Sequence, residues 1–209
     1  TDPSTFFGDP ARSPVRATVD ALDMVLERAF AAGPTLRNHL RLADYDKFYQ
    51  NVFPSGAVTN GRVNLGAYNA GTDRTNLFNQ TEATFSAKTG RVAHTVLVGT
   101  ELGSQRTRST RETGQFGSAE NAPTSIAVPF DAPVLTTPVT FRQSRTDADG
   151  RATLSIASAY LQDQIALGEH WQAIVGLRHD DFEVELRNNR NGQVLRSQDG
   201  LLSPRAGLV

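Results

Sequence analysis

The residues SAYLQDQIALGEHWQAIVGLRHDDFEVELRNNR (158–190) contain the clearest structural pattern in the chain. In their second half apolar and polar side chains alternate: the apolar set is Trp171, Ala173, Val175 and Leu177, and the other set is Gln172, Gly176, Arg178 and Asp180. A period of two is typical of a β-strand with one apolar face. The short turn Gly168–His170 joins this strand to another candidate, from about Ala152 to Leu167. The stretch therefore predicts an antiparallel hairpin.

The connections along the chain alternate between short and long. The short turns are Ala31–Pro34, Lys88–Arg91 and Gly168–His170, and the long polar stretches are roughly Asp46–Thr75, Gly103–Arg151 and Asn188–Gly200. A transmembrane β-barrel has tight periplasmic turns and long extracellular loops, whereas a soluble β-sandwich has no reason to sort its loops in this way. The pattern predicts an all-β chain, an antiparallel transmembrane β-barrel segment with short periplasmic turns and long extracellular loops.

About seven strands are predicted. Besides the two above, the candidates are Val15–Phe30, Leu36–Tyr49, Thr75–Lys88, Val92–Leu102 and a strand that starts near Leu201. Helix competes for DALDMVLERAF (20–30), but the Ala-Gly-Pro turn that follows favours strand. In Leu36–Tyr49 the leucines share one parity and the cationic residues the other, as expected for lipid outside and lumen inside. Val92–Leu102 is apolar on both parities, so its facing stays open.

The composition excludes several classes of protein. The 209 residues carry a formal net charge of −1, so there is no electrostatic case for nucleic acid. A hydrophobic fraction of 38% is lean for a globular core but suits strands that show every second residue to lipid. There is no cysteine, hence neither disulfides nor thiolate metal sites. No apolar run approaches the roughly 18 residues of a transmembrane helix.

Both ends look cut. Thr1 begins in loop-like sequence, and Leu208-Val209 lies within a strand candidate. We therefore expect the chain to be an excerpt of a larger protein.

Four segments resemble a known family. LRNHLRLADYDKFYQNVFP (36–54), AYNAGTDRTNLFNQTEATF (67–85), SAYLQDQIALGEHWQAIVGLRHDDFEVELRNNR (158–190) and LLSPRAGLV (201–209) resemble the barrel domain of TonB-dependent outer-membrane receptors, in particular the catecholate type of ferric-siderophore receptor. The most specific part is the GLRHD segment followed by SPR in the next strand. His179 stands where the family often has Tyr.

The resemblance implies a function and partners. It implies that residues 1–209 are part of a 22-stranded barrel in the bacterial outer membrane, whose remaining strands and N-terminal plug domain are absent from this sequence. It further implies import of a ferric siderophore, energised by the TonB complex through a TonB box on the plug. No resident cofactor is expected. A passive porin or structural barrel is the alternative, and a soluble β-rich binding domain or enzyme is a third.

Two groups of residues are candidates for ligand binding. Tyr45, Phe48 and Tyr49, with Asp44 and Asp46 beside them, could line a vestibule for an aromatic chelate or offer oxygen ligands to iron. Arg106, Arg108 and Arg111 are predicted to lie in a long loop and could attract an anionic chelate. The histidines lack zinc spacing and no catalytic motif is present, so neither a metal site nor an enzyme is predicted.

Overall fold

The computed structural model describes residues 5–31 and 33–209. Within these residues the strands are β1 (Val15–Ala29), β2 (Thr35–Pro54), β3 (Arg62–Thr89), β4 (Val92–Phe116), β5 (Ser125–Pro129), β6 (Val139–Arg142), β7 (Asp149–Ala166), β8 (Gln172–Asn188) and β9 (Val194–Leu208). One antiparallel sheet runs in the order β1-β2-β3-β4-β7-β8-β9, with β5 added beside β3 and β6 beside β4. A short 3-10 helix, Pro10–Arg12, precedes β1. The all-β prediction and the seven main strands are confirmed.

The predicted short turns join neighbouring strands. β3 and β4 pair up to Thr89 opposite Val92, and Gly90 at the turn has a φ of 63°, a conformation that suits glycine. β7 and β8 are joined through residues 167–171, where Leu167 donates its N–H to the carbonyl of Trp171 at 2.8 Å. The predicted turn at Ala31–Pro34 includes residue 32, which lies outside the described residues; on either side of it, Gly33 donates to Phe30 at 3.2 Å.

The predicted long loops are largely wrong. β2 continues to Pro54 and β3 starts at Arg62, so residues 55–61 alone link them. Residues 189–193 link β8 to β9, and only residues 117–148 remain a long excursion. The reason is physical: above the membrane a strand needs no apolar face against lipid, so alternation is no longer required while backbone pairing continues.

Strand length places these extensions outside the bilayer. β3 has 28 residues, and at a rise of about 3.3 Å per residue it is about 90 Å long. A tilted strand crosses the hydrocarbon with about 9–11 residues. Each long strand therefore has a membrane half, next to the short turns, and an extracellular half beyond it.

The register fixes which side chains share a face. One face of the membrane half is almost entirely apolar, and its exposed members include Leu22, Leu26, Leu42, Leu77, Phe85, Val98, Leu102, Leu161, Val175, Leu177, Leu202 and Leu208. We call this face outward because it suits lipid, and the opposite face inward. The open question about Val92–Leu102 is thereby answered: Val96, Val98 and Leu102 face outward, and Gly99 and Glu101 face inward.

A few polar side chains interrupt the outward apolar face, and they bond to one another. Asn38 donates to Asn79 at 3.1 Å and to Thr81 at 2.8 Å. His94 Nδ1 lies 2.7 Å from Asp163 Oδ2 near the periplasmic end. Mutual hydrogen bonding lowers the cost of placing polar groups next to lipid. Residues 5–31 and 33–209 form no helix that is long and apolar enough to cross a membrane, a finding that has no bearing on crossing by strands.

The extracellular end has a small core of its own. Its buried members are Val52, Val63, Leu65, Ala67, Phe116, Val128 and Leu135. The excursion 117–148 folds back as β5 and β6, so it covers the ends of β3 and β4 instead of hanging free. Gly8 ties the segment before β1 to this core, since it accepts from the N–H of Leu135 at 2.8 Å and donates to Pro133 at 3.2 Å. The extracellular end is thus a packed platform.

Candidate functional site

The predicted ligand residues do not share one face. On β2, Tyr45 and Tyr49 point inward, whereas Phe48 points outward, where the guanidinium of Arg16 lies 5.8 Å from its ring centre. On β4, Arg111 points inward, and Arg106 and Arg108 point outward. The structure brings Tyr49 and Arg111 into one neighbourhood and separates them from the other arginines.

The location predicted for the three arginines is wrong. Arg106, Arg108 and Arg111 lie within β4 and not in a loop. Arg106 pairs with Thr75 of β3 and with Thr153 of β7, so its backbone is inside the sheet. A polar run of sequence without an apolar face is compatible both with a strand in water and with a loop. The backbone pairing of β4 with β3 and β7 shows that these residues form a strand.

Tyr68 is the centre of an aromatic cluster on the inward face. Its ring meets Tyr49 at 5.5 Å and Phe53 at 5.4 Å, each at an interplanar angle of 85°. The guanidinium carbon of Arg111 lies 4.0 Å from the centre of the Tyr68 ring. We call Tyr49, Phe53, Tyr68 and Arg111 the inward aromatic cluster. Edge-to-face rings with a cation above one of them form a surface that suits a flat aromatic anion.

Arg111 is held in place from a second side. Its Nε lies 3.5 Å from Asp147 Oδ1, on the turn that leads into β7. Asp147 is buried and accepts from the Thr113 hydroxyl at 2.9 Å and from the Ser144 N–H at 2.7 Å. Burial alone would raise the pKa of Asp147, but these hydrogen bonds outweigh it and leave that pKa below its ordinary value. The turn is therefore anchored by a carboxylate that stays ionised.

Tyr49 is a hydrogen-bonding phenol. Its side-chain hydrogen bond with Tyr68, together with partial burial, raises the pKa of Tyr49 above the ordinary value of 10.0. Coordination of ferric iron would need the phenolate form of Tyr49 rather than the phenol. Among the described residues no group of three or more His, Cys, Asp or Glu side chains is arranged to hold a metal ion. The arrangement suits contact with a chelate rather than with bare iron.

Tyr45 lies in a neighbouring inward depression of about 330 Å³, between β1, β2 and β3. Lys47 and Arg74 line the same depression, and Arg74 Nε donates to the Thr107 hydroxyl at 3.1 Å. The Lys47 ammonium lies 5.8 Å from the ring centre of Tyr49, so the depression adjoins the inward aromatic cluster. The inner wall here is aromatic and cationic over several strands.

The membrane half of the inward face has a different character. Arg178 donates to Asp180 at 2.7 Å and to the Ser158 hydroxyl at 2.9 Å, and it pairs with Glu101 at 3.3 Å. Tyr160 donates to Glu82 at 2.9 Å and accepts from Gln80 at 2.8 Å. These side chains satisfy one another within the wall, which suits a polar lumen.

Two members of the cluster, Phe53 and Tyr68, are not among the candidates named from sequence. Both fall within the stretch predicted as a loop, and residues of a loop cannot be assigned to a face of a sheet. The available signal was parity: Tyr45, Tyr49 and Phe53 are spaced by four, so they share a face if the strand continues. Tyr68 needed the pairing of β3 with β2 and β4, which the sequence does not show.

The fold and the wall define a segment of an antiparallel transmembrane barrel with an apolar outside, a polar lumen and an aromatic, cationic extracellular wall. The chain belongs to the TonB dependent receptor-like β-barrel family, whose model matches residues 2–209. It is therefore part of an outer-membrane protein of Gram-negative bacteria, in a family of receptors and transporters rather than enzymes.

Solved structures show the same fold. The siderophore receptor PiuA from Acinetobacter baumannii is 21% identical with a TM-score of 0.79, over 97% of this chain and 31% of that one. The ferric-catecholate import receptor Fiu from E. coli K12, in its closed form, is 18% identical with a TM-score of 0.70, over 98% and 32%. BauA, the ferric preacinetobactin receptor from Acinetobacter baumannii, is 13% identical with a TM-score of 0.71, over 94% and 29%. The chain spans about a third of the length of these receptors.

Proposed function

We propose that this chain supplies seven main strands of a larger barrel that imports a ferric siderophore across the outer membrane, energised through TonB. The proposal includes a plug domain inside the barrel, against the polar inward face of the membrane half. The family supports it, as do the structural relatives described as receptors for siderophores, ferric catecholates and ferric preacinetobactin. The ligand is the transported cargo and not a resident cofactor.

The observation that carries the proposal is the inward aromatic cluster. A ferric catecholate combines flat aromatic rings with negative charge, and the cluster offers ring faces and edges beside a guanidinium. The anchored position of Arg111, between Tyr68 and Asp147, reduces the entropy lost when it contacts an anion. We therefore propose a catecholate-type chelate, contacted by Tyr49, Phe53, Tyr68 and Arg111.

The proposed ligand set departs from the residues named from sequence. Tyr49 and Arg111 are kept because they belong to the inward aromatic cluster, and Tyr45 faces inward in the depression beside it. The outward residues are left out: Phe48, Arg106 and Arg108.

The test is binding of a ferric catecholate to the complete purified receptor, followed by quenching of intrinsic fluorescence. Replacement of Tyr68 or Arg111 by Ala should each weaken binding about tenfold, the loss expected for a cation–π contact or a charge-assisted hydrogen bond. Arg106→Ala is the matched control from the outward face of β4, and Phe48→Ala is a second control from the outward face of the neighbouring strand β2; both should leave the affinity unchanged. Equal losses for inward and outward variants would contradict the assignment of the site.

Uptake by cells separates the receptor from a passive porin. Accumulation of the labelled ferric chelate should stop when the TonB system is deleted or the proton gradient is collapsed. Accumulation that persists under both conditions, with a rate set by solute size, would favour the porin.

A further inference from the structure

The inner wall above the membrane half contains an apolar surface next to the inward aromatic cluster. In the extracellular halves of β7, β8 and β9, inward apolar side chains lie directly opposite one another across neighbouring strands. We call this surface the inward apolar patch, and its members are Leu154, Ile156, Phe182, Val184, Leu186 and Leu195. Val184, Leu186 and Leu195 are 38%, 44% and 54% exposed. The patch is therefore accessible from the inside of the barrel wall.

The barrel itself does not require apolar residues at these positions. On its outward face the same stretch of β8 carries Asp181, Glu183 and Glu185, so this part of the strand lies above the lipid. The inward face tolerates polar side chains, as the hydrogen-bonded network around Arg178 shows directly below the patch. Exposed apolar side chains that form one continuous surface are typical of a binding site. The patch therefore requires a ligand or partner that covers it.

A groove joins the patch to the inward aromatic cluster. It has a volume of about 240 Å³, and its walls include Thr107, Ala152 and Leu186 at one end and Asp147 at the other. Asp147 Oδ1 lies 3.5 Å from Arg111 Nε, so the groove ends beside the guanidinium of the cluster. A single ligand can therefore contact the cluster and the patch at the same time.

The distance between the two surfaces sets the length of such a ligand. Thr107, Ala152 and Leu186 lie in line across β4, β7 and β8, and Arg111 lies farther along β4. With about 3.3 Å per residue and about 4.8 Å between strands, the backbones of Arg111 and Leu186 are about 16 Å apart along the sheet. An aromatic ring held at Arg111 does not reach Leu186, whereas a flexible chain attached to that ring does.

We propose that the inward apolar patch binds an aliphatic acyl chain of the ferric chelate whose anionic aromatic part contacts the inward aromatic cluster. The chain site rests on the proposed import of a ferric catecholate, and it narrows the substrate class to acylated, amphiphilic chelates. The side chains of the patch offer no hydrogen bonds, so the chain gains affinity by leaving water. The plug domain is proposed to lie against the polar membrane half, and the patch above it stays open to the ligand.

The test compares two ferric catecholates that have the same chelating group and differ only in an acyl chain, which is acetyl in one and octanoyl in the other. Binding to the complete purified receptor is measured by quenching of intrinsic fluorescence. The octanoyl chelate should bind about tenfold more tightly or better, because each buried methylene group contributes about a factor of four. In Val184→Ser/Leu186→Ser the ratio of the two affinities should fall close to one, because the centre of the patch becomes polar.

Val175→Ser/Leu177→Ser is the matched control. It makes the same two replacements at the same spacing on the outward face of β8, where the side chains are similarly exposed. The ratio of the two affinities should equal that of the unchanged receptor, which also corrects for any partition of the octanoyl chain into detergent. A shift in electrophoretic mobility on heating shows that each variant is folded.

The outcomes distinguish the chain site from the proposed function. Equal binding of the two chelates to the unchanged receptor would overturn the chain site and leave import of a ferric catecholate intact. A ratio in Val184→Ser/Leu186→Ser as large as that in the control would also overturn it, since the chain would then gain its affinity elsewhere. Binding of neither chelate would overturn both the chain site and the proposed catecholate ligand.

Discussion

β8 has opposite side-chain patterns in its two halves. In the membrane half Ala173, Val175 and Leu177 face outward, and Arg178 faces inward. In the extracellular half the acidic side chains Asp181, Glu183 and Glu185 face outward, and the apolar ones, Phe182, Val184 and Leu186, face inward. The backbone alternates in the same way throughout.

The medium on each side of the sheet explains why the apolar and polar faces of β8 exchange places between its two halves. Lipid requires an apolar outside, and a lumen tolerates polar groups that bond to one another. Above the lipid the outside of β8 meets water and headgroups, and the inside of this part of the wall includes the inward aromatic cluster. The type of a residue therefore indicates which face of the sheet it occupies only when its position along the membrane normal is known. Arg178, in the membrane half, faces inward, whereas Arg108, in the extracellular half, faces outward.

The largest expected effect comes from a charge on the outward face of the membrane half. Val98 lies midway along that half of β4 and is exposed to lipid, between Ala83 and Leu161. Val98→Arg should lower the free energy of unfolding by about 2–4 kcal/mol, because the guanidinium must enter hydrocarbon. The measurement is guanidinium-induced unfolding of the complete receptor in lipid vesicles.

Ser104→Arg is the matched control for this change. It adds the same side chain to the same face of β4, beyond Leu102. It should cost at most about 1 kcal/mol near the interface. If both variants lost the same stability, the assigned boundary between the two halves would be wrong.

The second effect concerns packing on the inward face. The ring of Tyr160 lies against Gly99, where a Cβ would overlap with it. Gly99→Ala should displace the ring from Glu82 and Gln80 and cost about 1–3 kcal/mol of unfolding free energy. Gly200→Ala, in the extracellular half, adds a methyl with ordinary contacts to Asp181 and His179. Its unfolding curve should match that of the unchanged receptor; a Gly99→Ala curve that also matches would refute the proposed packing.

The membrane halves were largely predictable from sequence. Lipid on one side forces alternation, so Leu36, Leu40 and Leu42 reveal both the strand and its outward face. Val92–Leu102 was the exception, because Leu97 and other apolar residues also face the lumen. Pairing with β3 and β7 was needed to assign its facing.

The extracellular halves were not predictable in the same way. Water on the outside removes the requirement for alternation, and a single bulge would have exchanged the two faces. Tyr49 and Arg111 could be named as candidate ligand residues from their chemistry alone. Their separation from Phe48 and Arg108 depends on an unbroken register, and Tyr68 joins them only through long-range pairing.

The third effect is local and depends on pH. Asp147→Asn weakens the contacts with Thr113, Ser144 and Arg111. The free energy of local opening around residues 143–148, measured by amide hydrogen exchange, should therefore fall by about 1–2 kcal/mol. The folded pKa of Asp147 is depressed, so its contribution is fully present above the ordinary value of 3.8. It is lost as the pH falls through the lower, folded value.

The difference in the free energy of local opening between Asp147→Asn and the unchanged protein should therefore be constant near neutral pH and shrink below pH 3.8. Asp131→Asn, at an exposed carboxylate of the same excursion, should leave exchange unchanged at every pH. A difference that grows on acidification would show that Asp147 does not act as an ionised anchor.

The smallest effect concerns an exposed ion pair on the outward face of the extracellular half. Arg196 and Glu185 are directly opposite across β8 and β9, and their charged atoms lie 2.8 Å apart. Arg196 is 68% exposed, so water screens the pair and Arg196→Ala should cost less than about 1 kcal/mol. Unfolding curves at low and high salt measure this effect: a cost above that of Gly99→Ala, or one that persists at high salt, would mean that this outer surface is less exposed to water than its charges indicate.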